Sequence, residues 1–286
     1  IMAVNPVQAK SILQKSGLPG TSYVINPYTG CTHGCVYCYA RFMKRFTAHS
    51  EPWGTFLDAK VNAPELLSRQ LERMREPLEE EVVFSSVTDP YQPAEKTYEL
   101  TRRLLEVLLA HRVPVSILTK SDLVLRDIDL LKQFGSCTVG LSLMTLDDTV
   151  GQHLEPRATP PTQRLRALHL LHEQGIYTYA FVSPYLPGLS ADIRELMEAL
   201  SGSIDEIGVE AINTRGGNWQ GVEKVLAEAY PERLDSCRRL SRDDAYWNEL
   251  KKQVVELTDA YQVKLMGFYR HRSEEHTSEL QSPNTI

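Results

Sequence analysis

A short apolar run followed by a helix-sized amphipathic one recurs along most of this chain, and that alternation restricts the fold more than any other feature. β-rich runs fall at Tyr23-Val24-Ile25-Asn26, Glu81 to Ser86, Val115 to Thr119, Cys137 to Leu143, Ile176 to Val182 and Ile204 to Ala211. Between them, apolar residues three and four apart predict helices. One runs from Pro64 to Arg75, opened by Asn62 and striped by Leu66, Leu67, Leu71 and Met74. Another spans Thr97 to His111, a third carries Val124, Ile128 and Leu131, and two more span Thr162 to Gln174 and Ile193 to Leu200. A last helix repeats Tyr246, Leu250, Val254, Leu257 and Tyr261. Strands and helices alternating at this length read as parallel βαβ units, and six of them read as a partial (β/α)6 barrel of the α/β class. The 286 residues suffice for one such domain.

Hydrophobic residues at 42% and charged residues at 24% are ordinary for a globular protein. No apolar run of about 18 residues occurs, so no membrane span is expected. The net charge of −6 argues against a broad nucleic-acid footprint but leaves room for a local basic groove. Five cysteines form no dense even set, and no apolar signal opens the chain, which predicts a reduced, cytoplasmic protein.

Three of those cysteines, Cys31, Cys35 and Cys38, fall within Gly30-Cys31-Thr32-His33-Gly34-Cys35-Val36-Tyr37-Cys38-Tyr39, directly after the first strand. Three thiolates on one loop suit a four-iron cluster, each holding one iron and leaving the fourth open to another ligand. A zinc site with His33 or His49 as fourth ligand is the alternative the residues leave open. The Cys-x3-Cys-x2-Cys spacing resembles the radical S-adenosylmethionine (radical SAM) superfamily. That resemblance implies a [4Fe-4S] cluster whose open iron chelates S-adenosylmethionine. One-electron cleavage then yields a 5′-deoxyadenosyl radical that abstracts hydrogen, the electron coming from a reducing partner such as flavodoxin or ferredoxin. It also implies an open six-stranded barrel.

Functional residues of such barrels gather where the carboxyl ends of the strands converge. Those ends are Ser85-Ser86-Val87-Thr88-Asp89, Thr119-Lys120-Ser121, Leu141-Ser142-Leu143, Val182-Ser183-Pro184 and Ala211-Ile212-Asn213. Asn26-Pro27-Tyr28, Cys38-Tyr39-Ala40-Arg41, Thr88-Asp89-Pro90-Tyr91-Gln92-Pro93, Thr119-Lys120-Ser121 and Glu155-Pro156-Arg157 together resemble the spore photoproduct lyase-like group. This narrower resemblance implies that Tyr39, Thr88, Asp89, Lys120, Ser142 and Ser183 line the S-adenosylmethionine pocket, and that the substrate is a small molecule or contains a nucleotide. In spore photoproduct lyase a cysteine just before the Thr88-Asp89 position returns a hydrogen atom to the product; this chain has Ser85-Ser86-Val87 there. A serine O–H bond is too strong for that step, so a repair reaction would need Tyr37 or Tyr39 as hydrogen donor. Glu155 and Arg157 either orient substrate or form an ion pair with each other. The remaining reading is a non-catalytic, metal-binding interaction module.

Arg41 to Phe46 is basic and aromatic, and reads either as a solvated helix face or as a surface for a phosphate-bearing substrate. The expected division is one catalytic domain over 1–271, with a cluster loop at 30–41, a barrel at about 22–211 and a helical extension at about 222–271. Within it, Arg215 to Asn218 reads as a loop and Gly221 to Arg242 as a poorly patterned connection. Residues 272–286 are expected to be a non-native tail, since Arg272 to Pro283 resembles a translated sequencing adapter; without them the charge moves from −6 to −4. Ile1-Met2 suggests a fragment or a misplaced start.

Overall fold

The computed structural model describes residues 4–17, 20–214 and 217–270. The expected tail at 272–286, Ile1-Met2 and the Arg215-Gly216 part of the expected loop lie outside the described residues. The strands are β1 (Val4–Val7), β2 (Leu13–Lys15), β3 (Tyr23–Ile25), β4 (Tyr28–Thr29), β5 (Leu57–Lys60), β6 (Val82–Phe84), β7 (Val115–Thr119), β8 (Cys137–Ser142), β9 (Tyr177–Tyr185), β10 (Glu206–Ala211) and β11 (Lys264–Tyr269). The helices are α1 (Ala63–Glu72), α2 (Glu95–Tyr98), α3 (Leu100–Ala110), α4 (Ile128–Leu131), α5 (Asp148–Leu154), α6 (Pro161–Glu173), α7 (Ile193–Leu200), α8 (Gly217–Ala229), α9 (Pro231–Leu240) and α10 (Asp244–Tyr261).

Eight strands form one sheet in the order β11-β10-β9-β8-β7-β6-β3-β2. Every pairing from β3 to β11 is parallel, and β2 adds an antiparallel edge. The six expected strands are thus neighbours in chain order, as right-handed βαβ units dictate. Alternation along each strand separates two faces. On β7, Val115 and Ile117 are buried in the core with the helix leucines and Thr119 is buried on Asp89, while Ser116 and Leu118 are half-buried on the other face. Leu67 and Leu71 of α1, Leu104 and Leu108 of α3, and Leu168 and Leu171 of α6 complete the helix side. Each such leucine contributes about 2 kcal/mol by leaving water. α7 and α10 begin where an acid takes their free amides: Asp192 accepts from Arg194 and Glu195, and Asp243 from Ala245 and Tyr246.

Several boundaries differ from the sequence expectation. The expected 97–111 helix is broken at Glu99, whose φ is 47°, into α2 and α3. Glu95 is the cause: its buried carboxylate accepts from the Thr101 amide at 3.0 Å, closing the first turn of α3 from the preceding helix. The helix expected through Val124, Ile128 and Leu131 is a 3-10 turn, Asp122–Asp127, leading into α4. Gly221 to Arg242 is not an unpatterned connection but lies in α8 and α9, and Gly217-Asn218 of the expected loop opens α8. The expected helical extension ends in a seventh parallel strand, β11, which pairs with β10. Its sequence, Lys264 to Tyr269, is as apolar as the inner strands but carries Gly267, and none of its residues is fully buried. The barrel sheet therefore runs beyond residue 211. A separate sheet, β1-β5-β4, stands beside the first strand and was not apparent from the short, polar β1 and β4.

Candidate functional site

The chain leaves β3 and enters the cysteine loop, whose backbone is held by side chains more than by regular structure. Asn26 Oδ1 accepts from the amides of Ser86 and Val87 at 3.0 and 3.2 Å, joining the carboxyl ends of β3 and β6. Gln92 Oε1 takes the Thr32 amide at 3.0 Å, and the Thr88 hydroxyl donates to the Gly30 carbonyl at 2.5 Å. Cys35 is buried, with Cys31 and Cys38 half-buried. Burial, then the charge of Asp89 and of the other two cysteines, pushes the Cys31 thiol well up. Burial likewise pushes Cys35 to about 12, with Lys120 opposing and Glu155 and Cys38 reinforcing the rise. Cys38 is also raised by burial. The three thiols therefore lie within electrostatic reach of one another, and burial favours their neutral form over the thiolates that a metal would bind.

Neither histidine considered as a fourth zinc ligand is presented to them. His33 bonds through Nδ1 to the Arg157 carbonyl at 3.1 Å and lies 3.3 Å from Asp89 through Nε2. His49 stacks on Phe56 and bonds Asp58 at 3.0 Å. Among the described residues no three His, Cys, Asp or Glu side chains converge as the ligands of one metal ion would. Three thiols without an imidazole, spread along one loop, suit a polynuclear iron–sulfur cluster, in which each thiolate serves a different iron.

Behind the loop is a buried polar chain. The Tyr37 hydroxyl donates to Glu155, Arg164 donates to the other Glu155 oxygen, and Arg164 Nη1 donates to the Ser142 carbonyl at 2.6 Å. Burial works against the charge of Glu155, but Arg164 and Lys120 hold its carboxyl below the usual range. Glu155 thus pairs with Arg164, not with Arg157 as one sequence reading had it. Arg157 turns the other way, onto carbonyls of the loop. Lys120 Nζ lies 5.7 Å from the centre of the Tyr37 ring. Burial disfavours its charge, yet Cys35 and Glu155 raise its pKa. Asp89 accepts from Thr119 Oγ1 at 2.7 Å and from the Lys120 amide at 2.8 Å.

The expected residues thus form two groups. Tyr37 and Ser142 are joined through Glu155 and Arg164, with Lys120 and Cys35 within electrostatic reach of that pair, whereas Thr88 and Asp89 face the underside of the loop and hold it. Tyr39, 49% exposed with its hydroxyl donating to the Ser86 carbonyl, stands at the open mouth. Ser183 donates to Glu210, whose charge also reaches Tyr39 and Tyr269. On the same concave face Phe181 meets Tyr269 edge-on, 6.2 Å between centroids. Arg41 to Phe46 is a 3-10 helix; Arg45 lies over the rings of Phe42 and Phe46, and Arg41 bonds back to the Cys35 carbonyl. Sequence reasoning passed over Arg164, Gln92 and Glu210. Gln92 stood in a quoted motif, but nothing local distinguishes Arg164 from a solvated helix residue. Cys137 lies with Thr138, Tyr177, Glu206 and Lys264 around a cavity of about 490 Å³ at the opposite, amino-terminal end of the strands.

A parallel, open α/β barrel with a three-thiol loop leaving its first strand defines a class of cofactor-bearing barrel enzymes. The radical SAM superfamily profile matches residues 25–200, and the chain belongs to that superfamily. It is 40% identical over 244 residues to an uncharacterized protein, MJ0683, of Methanocaldococcus jannaschii, covering 85% of this chain and 90% of the relative. A radical SAM Nalpha-GlyT isomerase of Pseudomonas phage M6 is 28% identical over 250 residues, 85% of this chain and 50% of the relative. Among solved structures, spore photoproduct lyase complexed with dinucleoside spore photoproduct superposes with a TM-score of 0.66 at 18% identity, covering 94% of this chain and 82% of that one. Streptococcus suis SuiB bound to S-adenosylmethionine superposes at 0.58 with 18% identity, over 88% and 50% of the two chains. Spore photoproduct lyases are thus among its structural neighbours, and the partial barrel is shared.

Proposed function

We propose that Cys31, Cys35 and Cys38 hold a [4Fe-4S] cluster, one thiolate per iron, and that S-adenosylmethionine binds across the mouth between Tyr39, Lys120, Ser142 and Ser183. When bound, these groups supply reductive cleavage of S-adenosylmethionine and hydrogen abstraction from a substrate. The observation that carries this reading is the placement of three thiols on one loop at the carboxyl ends of parallel strands, with the Lys120 ammonium beside Cys35. Lys120 would supply a charge-assisted donor to the carboxylate of the methionine moiety. Thr88 and Asp89 contribute by fixing the loop and the Lys120 backbone.

The substrate class we favour contains a nucleotide. The exposed edge of Phe181 and Tyr269 suits a planar base, and Glu210 beside Ser183 suits its N–H donors; the dinucleoside named with the lyase neighbour points the same way. Of the two tyrosines proposed as hydrogen donors in a repair reaction, Tyr39 faces the mouth and Tyr37 is buried on Glu155. A flavodoxin or ferredoxin in a reducing cytoplasm supplies the electron. Among the described residues no helix is long and apolar enough to cross a membrane.

Anaerobic reconstitution with iron and sulfide tests the reading. The expected product is a brown protein that forms 5′-deoxyadenosine from S-adenosylmethionine under dithionite. A chain that instead retains one tightly bound zinc and never forms 5′-deoxyadenosine is the non-catalytic metal module.

A further inference from the structure

Arg157 has no role in the reading above, yet more of its atoms bond the cysteine loop than those of any residue expected from the sequence. Its Nε donates to the Thr32 carbonyl at 2.5 Å, and its Nη2 to the Gly54 carbonyl at 2.6 Å. Its amide donates to the His33 carbonyl at 3.2 Å, and its own carbonyl meets His33 Nδ1 at 3.1 Å. One turn earlier the Val36 amide donates to the Leu154 carbonyl at 2.9 Å. Residues 154–157 therefore run along the loop between Cys31 and Cys38, held to it at both ends.

The space through which the guanidinium passes is made by two glycines. A Cβ on Gly34 would sit 2.4 Å from Arg157 Nη2, and one on Gly54 would sit 3.1 Å from the Gly34 Cα; both residues have positive φ, +66° and +92°. The donors of Arg157 end on main-chain carbonyls, and among the described residues it makes no ion pair. A planar guanidinium holds its donors in a rigid fork, so Nε and Nη2 reach two carbonyls in fixed and different directions, whereas a lysine ammonium offers rotating donors from a single atom.

We propose that Arg157 is the positioning residue of the cysteine loop, bridging the Thr32 and Gly54 carbonyls and so fixing the main chain between Cys31 and Cys35 before any metal arrives. It acts through the main chain and does not touch the cofactor. The loop is consequently pre-organised: the ordering that a free three-cysteine loop would undergo on cluster binding is already present in the apo chain.

This rests on the cluster assignment above, and two measurements on the full chain keep the two separable. The first needs no cluster. In the apo protein, Arg157→Ala is expected to speed amide hydrogen exchange across residues 30–36 at least tenfold, with β7 and β8 unchanged, and Arg157→Lys to give an intermediate rate. The second follows iron release from the reconstituted protein to an excess of ferrous chelator: Arg157→Ala releases iron about tenfold faster than wild type, with the melting midpoint of the apo chain unmoved. Wild-type exchange and wild-type iron release in Arg157→Ala overturn the inference while leaving the cluster intact. Faster exchange spread evenly over the barrel, with a lowered apo midpoint, also overturns it, since Arg157 is then a general stability residue. If exchange at 30–36 responds as expected but the wild type binds no iron, the positioning role stands and the cluster assignment falls.

Discussion

Lys120 illustrates how single residues reconcile burial with charge at this mouth. Desolvation alone would lower its pKa, but Glu155, and Cys35 when deprotonated, lie close enough to reverse the shift and favour the ammonium. Lys120→Ala is expected to weaken S-adenosylmethionine binding by about 1.5–3 kcal/mol, the range of a hydrogen bond to a charged group. Isothermal titration of the reconstituted enzyme checks this, and an unchanged dissociation constant would remove Lys120 from the pocket. Asp89 titrates in the opposite sense. Burial would raise it, but His33, the Thr119 hydroxyl and the Lys120 amide bring it down from 3.8 to about 2. A depressed carboxyl stabilises the fold fully above its unfolded pKa and loses that contribution as pH falls through its folded value. The apo chain should therefore lose about 2 kcal/mol of stability from this residue between about pH 4 and pH 2. Asp89→Asn is expected to show a shallower acid limb in denaturant titrations over that interval. Equal limbs in the two proteins would mean that the Asp89 carboxyl is not depressed in the fold.

At the scale of elements, the break between α2 and α3 is maintained by a buried charged network. Glu95 accepts from Arg126 at 2.9 Å and from the Tyr28 hydroxyl, while Asp127 accepts from Arg126 at 2.8 Å and from Arg102 at 2.9 Å. Removing one partner of a buried pair leaves the other uncompensated, at a cost of about 3–5 kcal/mol. Arg126 keeps Asp127 when Glu95 is lost, so Glu95→Ala is expected at the lower end, about 3 kcal/mol by urea denaturation. A loss below about 1 kcal/mol would show that a continuous α2–α3 helix forms instead and recovers the difference, since a single exposed helix junction contributes about that much. The sequence offered a helix here because Leu100, Leu104, Leu105 and Leu108 keep the period. It could not show that Glu95 turns inward, because that depends on Tyr28 and Arg126, 67 and 31 residues away.

For the whole molecule, most of the core lies apart from the thiols. It fills the space between the sheet and its helices; of the cysteines on the loop, Cys35 reaches into its edge and Cys38 packs against it. The triple substitution of Cys31, Cys35 and Cys38 by Ala should abolish iron binding yet keep a cooperative melting transition within a few degrees of the apo wild type, a shift worth about 1 kcal/mol or less. Loss of the transition would show that the thiols also hold the barrel together. The six inner strands and the cysteine loop were legible because each is specified locally, by alternation over five residues or by spacing over eight. The seventh strand was not, although it is as apolar as the others: Gly267 interrupts a six-residue run close behind α10, and nothing within that run shows that it pairs with β10. Nor could local pattern assign the partners of the loop: Glu155 lies 118 residues from Tyr37, and Arg157 lies 125 from Thr32. By itself the sequence determined a parallel barrel carrying three thiols at its first strand end. Only the tertiary structure decided that Glu155 turns to Arg164 and Arg157 to the loop, because partner choice between distant segments is set by which strand ends close together and not by any period within them.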